Sequence, residues 1–213
     1  MGTGPRYRVG FRRKRKGKTD YRSRIKLLLS GRPRLVVRRT LRRFITQIVE
    51  YSEEGDTVVA SCDSTDLQDF GWKGGNANMP AAYLTGLLCG RRAIEKGVKG
   101  CVLDLGLIKP LAGSSMFSVL NGAIDAGLAI PHNDESLPHE DRLRGMHIAN
   151  YAALVKSDKK RSIFSEYKKR GLDPKDLPKH FDMVKNNILK TGKEIKTKRT
   201  KKKRSVKGRS PGS

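Results

Sequence analysis

The chain has 213 residues, a formal net charge of +25 and an isoelectric point near 10.3. This length is enough for one domain of ordinary size with extensions, and a charge this large repels itself unless a polyanion neutralises it. No apolar run approaches the roughly 20 residues that span a bilayer, and no secretory signal starts the sequence. Composition therefore predicts a soluble intracellular protein with a nucleic-acid partner.

The positive charge is concentrated at the two ends of the chain. Residues 1–26 contain 11 Lys and Arg against one acid, and residues 190–213 contain the same numbers, so the two ends hold 20 of the 25 net positive charges. This distribution predicts a basic arm over 1–26 and a basic low-complexity tail over 190–213. Between them we expect a globular core over 27–132 and a helical extension over 133–189.

Three short β-branched segments follow the arm. They cover Arg34–Arg38, Phe44–Tyr51 and Thr57–Cys62, and short turns containing Gly or charged residues separate them. Such segments predict three antiparallel strands.

The next segments predict helices that alternate with one more strand. Asn76 or Asn78 is expected to cap a helix with Pro80 in its first turn, and Ser114 or Ser115 to cap a second one. The apolar run 101–105 between them fits a buried central strand. This order predicts an α/β fold, antiparallel β-β-β followed by α-β-α, with helices packed on a mixed sheet.

Gly86 and Gly90 form a GxxxG pair in the first of these helices, which predicts close packing of that helix on the sheet.

Beyond residue 132, the amphipathic stretches 142–155, 159–169 and 174–189 predict further helices.

Enzymatic motifs are weak or incomplete. The Gly17-Lys18-Thr19 triplet lacks the first glycine of a phosphate loop, because Arg12 occupies that position. The histidines at 132, 139 and 147 lack the i, i+4 spacing of a metal site. Asp104 lies in a strand, but the acids at 63, 66 and 69 follow one another into a turn and are expected to cap it and to pair with cations. We therefore expect no enzyme activity, no metal site and no cofactor.

The three cysteines, Cys62, Cys89 and Cys101, lie in apolar surroundings without CxxC spacing. They are expected to be buried free thiols.

Aromatic residues among cations favour RNA as the nucleic acid. Tyr7, Phe11, Tyr21 and Trp72 each lie near Arg or Lys in segments that are not expected to build the core. Aromatic rings stack on unpaired bases, which RNA exposes in loops and bulges. Duplex DNA would more often require a recognition helix rich in Arg, Asn and Gln, and the sequence does not show one.

Several motifs in a fixed order resemble a known family. They are Arg15-Lys-Gly-Lys-Thr-Asp-Tyr21, Arg32-Pro-Arg-Leu-Val-Val-Arg38, Gln47-Ile-Val-Glu-Tyr51, Gly71-Trp-Lys73, Pro80-Ala-Ala-Tyr-Leu-Thr-Gly-Leu-Leu88, Leu103-Asp-Leu-Gly-Leu107, Asp125-Ala-Gly-Leu128 and Ile130-Pro-His132. Over roughly residues 6–150 the chain closely resembles the universal L-eighteen family of large-subunit ribosomal proteins, in its archaeal type.

The resemblance implies a structural constituent of the large ribosomal subunit in the cytoplasm. Such a protein binds 5S rRNA, helps attach it to the large-subunit rRNA in the central protuberance, and contacts another 5S-binding ribosomal protein. It implies no membrane partner and no small-molecule substrate. The RNA contacts carried over to this chain are Arg12, Arg13, Lys14, Arg15, Gly17, Lys18, Thr19, Tyr21, Arg24, Arg34, Arg38 and Lys73.

Two other functions remain open on the sequence. One is an RNA-binding ribosome assembly factor that leaves the mature particle. The other is a metal-dependent nuclease on a ribonuclease-H-like sheet, which would use Asp104.

Overall fold

The structure is a computed structural model that describes residues 4–6, 8–155 and 163–190. Its strands are β1 (Arg34–Arg39), β2 (Phe44–Glu50), β3 (Thr57–Asp63) and β4 (Val102–Asp104). Its helices are α1 (Arg12–Arg15), α2 (Tyr21–Leu28), α3 (Met79–Ile94), α4 (Ser115–Asp125), α5 (Glu140–Arg144), α6 (Met146–Leu154), α7 (Ser165–Lys169) and α8 (Leu177–Lys190). Short 3-10 turns at Asp66–Phe70, Asp134–Ser136 and Pro174–Asp176 connect some of them.

The four strands form one mixed sheet in the order β3-β2-β1-β4. β1 pairs antiparallel with β2, β2 pairs antiparallel with β3, and β1 pairs parallel with β4. The predicted α/β class and the predicted β-β-β-α-β-α order are both confirmed. The expectation of a central strand at 101–105 is wrong, because β4 contains three residues and lies at the edge of the sheet beside β1.

The two faces of the sheet differ. On one face Leu35, Val37 and Ile48 are fully buried, and their strands pack against α3 and α4. Side chains alternate across a strand, so Val36 and Gln47, a cross-strand pair, point to the opposite face. These two residues keep part of their surface exposed. The side of the sheet that faces away from α3 and α4 is therefore a partly polar, accessible surface.

Helix α3 is the central element of the core. The Asn78 side chain caps it by accepting a hydrogen bond from the Ala81 N–H at 2.9 Å, and Pro80 lies in its first turn, as predicted. The prediction that the GxxxG pair packs on the sheet is wrong, because the pair packs on α4. A Cβ added to Gly86 would lie 2.0 Å from the Val119 carbonyl oxygen of α4, so the glycines allow helix-on-helix contact.

Helices after residue 132 pack on the other side of α3. Leu143, Leu177, Phe181 and Ile188 join the same apolar cluster as the sheet and α4. The Phe181 ring lies 5.4 Å from the Tyr83 ring of α3. Because both sides of α3 are covered, every one of its residues from 79 to 90 is buried, which a one-sided amphipathic pattern does not predict.

The cysteine prediction is confirmed, since Cys62, Cys89 and Cys101 are buried and free. Burial raises the pKa of the Cys101 thiol to about 12 and raises that of Cys62 as well, so both stay protonated near neutral pH. None of the described helices is long and apolar enough to cross a membrane.

Candidate nucleic-acid interface

The basic arm contains two short helices without buried residues. In α1 the four cations Arg12, Arg13, Lys14 and Arg15 are exposed, and none of them has an ion-pair partner in the described part of the chain. Gly17 adopts φ +59° just after this helix, a conformation that L side chains rarely adopt. The structure therefore gives Gly17 a role in turning the chain between α1 and α2.

A local network fixes the start of α2. The Asp20 side chain accepts hydrogen bonds from the Arg22 and Ser23 N–H groups and from the Ser23 hydroxyl, which caps the helix. The Ser23 hydroxyl and the Arg22 N–H lower the pKa of Asp20, so this cap stays ionised at neutral pH. The Arg13 Nε donates to the Thr19 hydroxyl at 2.9 Å, which holds α1 against the same turn.

The aromatic residues that the sequence placed among cations lie in different surroundings. The Phe11 and Tyr21 rings lie 4.9 Å apart, with Phe11 68% exposed. Trp72 was expected outside the core, but it is 2% exposed and its ring stacks on His180 at 5.4 Å. That expectation is wrong, because helix α8 covers the Trp72 ring. Tyr7 lies outside the described residues.

Three arginines and two aspartates form a continuous network beside β1. Arg34 donates from Nη2 to Asp56 at 2.7 Å and from Nη1 to Asp104 at 3.1 Å. Asp56 also accepts from Arg24 of α2 at 2.9 Å, and Asp104 also accepts from Arg38 at 3.2 Å. The network thus links the arm helix, the β2–β3 turn and the two parallel strands.

Arg34 and Arg38 differ in accessibility. The Arg34 side chain is 4% exposed and the Arg38 side chain 42% exposed. The Arg38 guanidinium also donates to the main-chain carbonyl of Asp104 at 2.8 Å and lies close to Gly106, where an added Cβ would be 3.0 Å from its central carbon. Arg38 is therefore held in a defined position at the surface, whereas Arg34 is a buried support.

The residues predicted to contact RNA therefore lie in two places. The arm and the β1 network contain eleven of them, Arg12, Arg13, Lys14, Arg15, Gly17, Lys18, Thr19, Tyr21, Arg24, Arg34 and Arg38, and Arg24 joins the arm to the network. Lys73 lies elsewhere, in the glycine-rich loop before α3. Its backbone N–H donates to His180 Nε2 at 3.0 Å.

Three of the four candidate catalytic carboxylates are engaged in ion pairs. Asp63 pairs with Arg43 at 3.0 Å and Asp66 with Arg92 at 3.1 Å, as expected for turn-capping acids beside cations. Asp104 accepts hydrogen bonds from Arg34, Arg38 and the Gly106 N–H. Within the described ranges no group of three or more His, Cys, Asp and Glu side chains is placed to hold a metal ion.

Comparison with known proteins identifies the family of the chain. Residues 5–99 match the family model described as ribosomal large subunit proteins 60S L5 and 50S L18. The chain is 50% identical over 188 residues to the large ribosomal subunit protein uL18 of Methanothermobacter thermautotrophicus, which covers 88% of this chain and 98% of the relative. The chain belongs to the uL18 family.

Membership of the uL18 family makes the chain a protein of the large ribosomal subunit, which works in the cytoplasm. The predicted resemblance to an archaeal type of this family is confirmed. An alignment of 188 residues also extends past position 150, beyond the range of roughly 6–150 over which the motifs resemble the family. The helices that cover α3 therefore lie at least partly within the shared sequence.

Sequence reasoning missed the two aspartates that organise the site. The sequence suggested no role for Asp104 other than that of a catalytic carboxylate, and none for Asp56. The available signal was an excess of arginine around few acids, because a carboxylate in such surroundings is expected to accept from more than one guanidinium.

Proposed function

We propose that this uL18 protein binds 5S rRNA through the arm and the adjoining β1 network, and that it helps to attach 5S rRNA to the large-subunit rRNA in the central protuberance. The observation that supports this proposal is the Arg24–Asp56–Arg34–Asp104–Arg38 network. It fixes the arm helix to the sheet and keeps Arg38 partly exposed beside it.

The arm supplies the sequence-independent part of the binding. Unpaired cations on α1 can neutralise phosphates and release counterions, which makes binding strongly dependent on salt. Arginine can engage a phosphate with two parallel hydrogen bonds, whereas lysine contributes a point charge. Tyr21 and the exposed Phe11 ring offer a surface for an unpaired base, with a contribution of about 1–3 kcal/mol per stacked base.

The network supplies the part of the RNA-binding surface whose side chains are held in fixed positions. Asp56 and Asp104 each share one carboxylate between two arginines, so the positions of Arg24 and Arg38 depend on the same buried Arg34. A rigid pair of guanidinium groups loses less conformational freedom on binding than two free side chains would. Specificity for 5S rRNA is therefore expected to depend on the network more than on the arm.

A competition assay tests the proposal. The full chain is titrated with labelled 5S rRNA at physiological salt, and unlabelled 5S rRNA or tRNA is added as competitor. We expect 5S rRNA to compete much better than tRNA, because tRNA matches only its general charge. Equal competition would contradict the proposal and leave a polycation without 5S preference.

The role of the arm is tested by neutralising three cations of α1. The triple variant Arg12→Gln, Arg13→Gln, Arg15→Gln is expected to reduce the slope of log K against log salt by about 2–3, since each lost phosphate contact removes roughly 0.7–0.9. An unchanged slope would show that these cations do not contact RNA.

A further inference from the structure

The sheet ends on one side at β3, the first strand in the order β3-β2-β1-β4. Within the described residues no further strand pairs with it on that side, so one row of its main-chain N–H and C=O groups faces away from the sheet. An edge of this kind is a template on which another chain can add a strand.

The sequence of β3 makes this edge prone to pairing. Residues 57–62 read TVVASC, six residues without a charge, a proline or a glycine, in a chain in which 31% of the residues are charged. Uncharged segments of this length and high β propensity are those that pair most readily with their own copies. Val58 is 48% exposed, and Thr57 and Ser61 are exposed as well, so another chain can reach the segment.

Two cations at the end of α3 occupy outward-facing carbonyl groups of this strand. The Arg92 Nη1 donates to the Ser61 carbonyl at 2.7 Å, and the Lys96 ammonium donates to the Val59 carbonyl. Four helical positions separate the two cations, about 6 Å, and two strand positions separate their acceptors, about 6.6 Å. Because the two repeats match, the end of α3 places successive cations beside successive outward carbonyl groups of β3.

Arg92 is held over the edge by more than its contact with Ser61. The same Nη1 lies 3.1 Å from the Asp66 carboxylate and 3.0 Å from the Cys62 sulfur. The Arg92 side chain is only 22% exposed. Its guanidinium is therefore fixed in position at the edge and does not extend freely into solvent.

A β-bulge affects the same part of the strand. Ile48 pairs with Ala60 and Val49 pairs with Val58, which leaves Val59 without a partner on β2. A bulge interrupts the ladder and increases the local twist, and both effects make an edge harder to extend. The Val59 carbonyl is also the acceptor of Lys96, so two features act on one position.

We propose that Arg92 and Lys96 close the β3 edge against a second copy of this chain, which would otherwise pair with it strand to strand. A second copy brings the same uncharged segment, so two β3 edges can pair antiparallel about a twofold axis. While both carbonyl groups accept from the end of α3, they are not available to a partner strand. The inference concerns the protein without RNA and does not depend on the proposed 5S binding.

The test is sedimentation velocity of the RNA-free full chain at about 1 M salt, where a Debye length of about 3 Å screens the net charge. The double variant Arg92→Ala, Lys96→Ala removes both donors. We expect it to dimerise with a dissociation constant about tenfold or more below that of the wild type, the factor that one additional hydrogen bond represents.

The matched control is the double variant Lys99→Ala, Lys109→Ala. It removes the same amount of charge from two exposed lysines that donate to neither the Val59 nor the Ser61 carbonyl among the described contacts. It should remain as monomeric as the wild type. Equal association of both double variants would show an effect of charge alone and overturn the proposal.

A rescue substitution locates the contact. Ser61→Lys, added to the Arg92→Ala, Lys96→Ala variant, should restore the monomer, because a lysine on an edge strand opposes pairing and the exposed side chain stays in water. Association that persists after Ser61→Lys would lie elsewhere on the molecule and would overturn the proposal. A double variant that unfolds cooperatively in urea and yet stays monomeric would overturn it too.

Loss of the Arg92–Asp66 pair could by itself unfold the double variant. In that case Lys96→Ala alone decides, because Lys96 is exposed and its removal leaves the Arg92 contacts in place. We expect this single variant to associate more tightly than Lys99→Ala and to be restored by Ser61→Lys. A monomer indistinguishable from Lys99→Ala would refute the role of the edge cations.

Discussion

Asp104→Asn gives the sharpest test of the network, because it removes a buried charge with almost no change in shape. Asp104 accepts from Arg34 at 3.1 Å, from Arg38 at 3.2 Å and from the Gly106 N–H at 2.8 Å. Its side chain is 9% exposed, and that of Arg34 only 4%. The substitution leaves Arg34 buried with Asp56 as its remaining carboxylate partner.

The expected loss in the free energy of unfolding follows from the burial of the pair. Breaking a buried pair by removing one charge costs about 3–5 kcal/mol, and because Asp56 remains we expect about 2–4 kcal/mol here. Urea unfolding of the full chain at pH 7 measures it as a lower midpoint with unchanged m. Asp182→Asn is the control, since its 3.8 Å pair with Arg144 is about half exposed and should cost under about 1 kcal/mol.

The affinity of the Asp104→Asn variant for 5S rRNA provides a second test, because two explanations predict changes of opposite sign. The Asp104→Asn variant has one more net positive charge, so attraction by overall charge alone predicts tighter binding. The network predicts weaker 5S binding, because Arg38 loses its carboxylate partner and Arg34 loses one of its two. A stability loss under about 1 kcal/mol together with tighter 5S binding would refute the reasoning.

The remaining predictions concern the stacking residue, the helix contact and pH. Tyr21→Ala should weaken 5S binding by about 1–3 kcal/mol with little change in the salt slope, measured by titration at several salt concentrations; a large slope change would mean displacement of the arm instead. Gly86→Ala should destabilise the fold by several kcal/mol in urea unfolding, because its Cβ would overlap the Val119 carbonyl, whereas the exposed control Lys99→Gln should have little effect. Burial and Lys73 lower the pKa of His180, so the unfolded chain binds a proton more readily than the folded one. Stability should therefore fall as pH drops below about 6.5, and His180→Gln should reduce that dependence in thermal unfolding between pH 5 and 7.5.

The local sequence determined the type and order of the elements. β-branched segments predicted β1 to β3, and Asn76 or Asn78 with Pro80 marked the start of α3, because caps and periodicity act over a few residues. The charge distribution predicted a nucleic-acid partner, and the motifs from Arg15 to His132 predicted the family. These signals need no knowledge of distant contacts.

Only the tertiary structure decided which charges meet. Arg34 and Asp104 are 70 positions apart, and only the parallel pairing of β1 with β4 brings their side chains to 3.1 Å. The same is true of the space between the β1–β2 turn, the glycine-rich loop and α7, three segments that converge from separate parts of the chain. Trp72 enters the core for this reason too, since α8 returns over it from beyond residue 176. Burial and pairing depend on long-range packing, which the residue types alone do not specify.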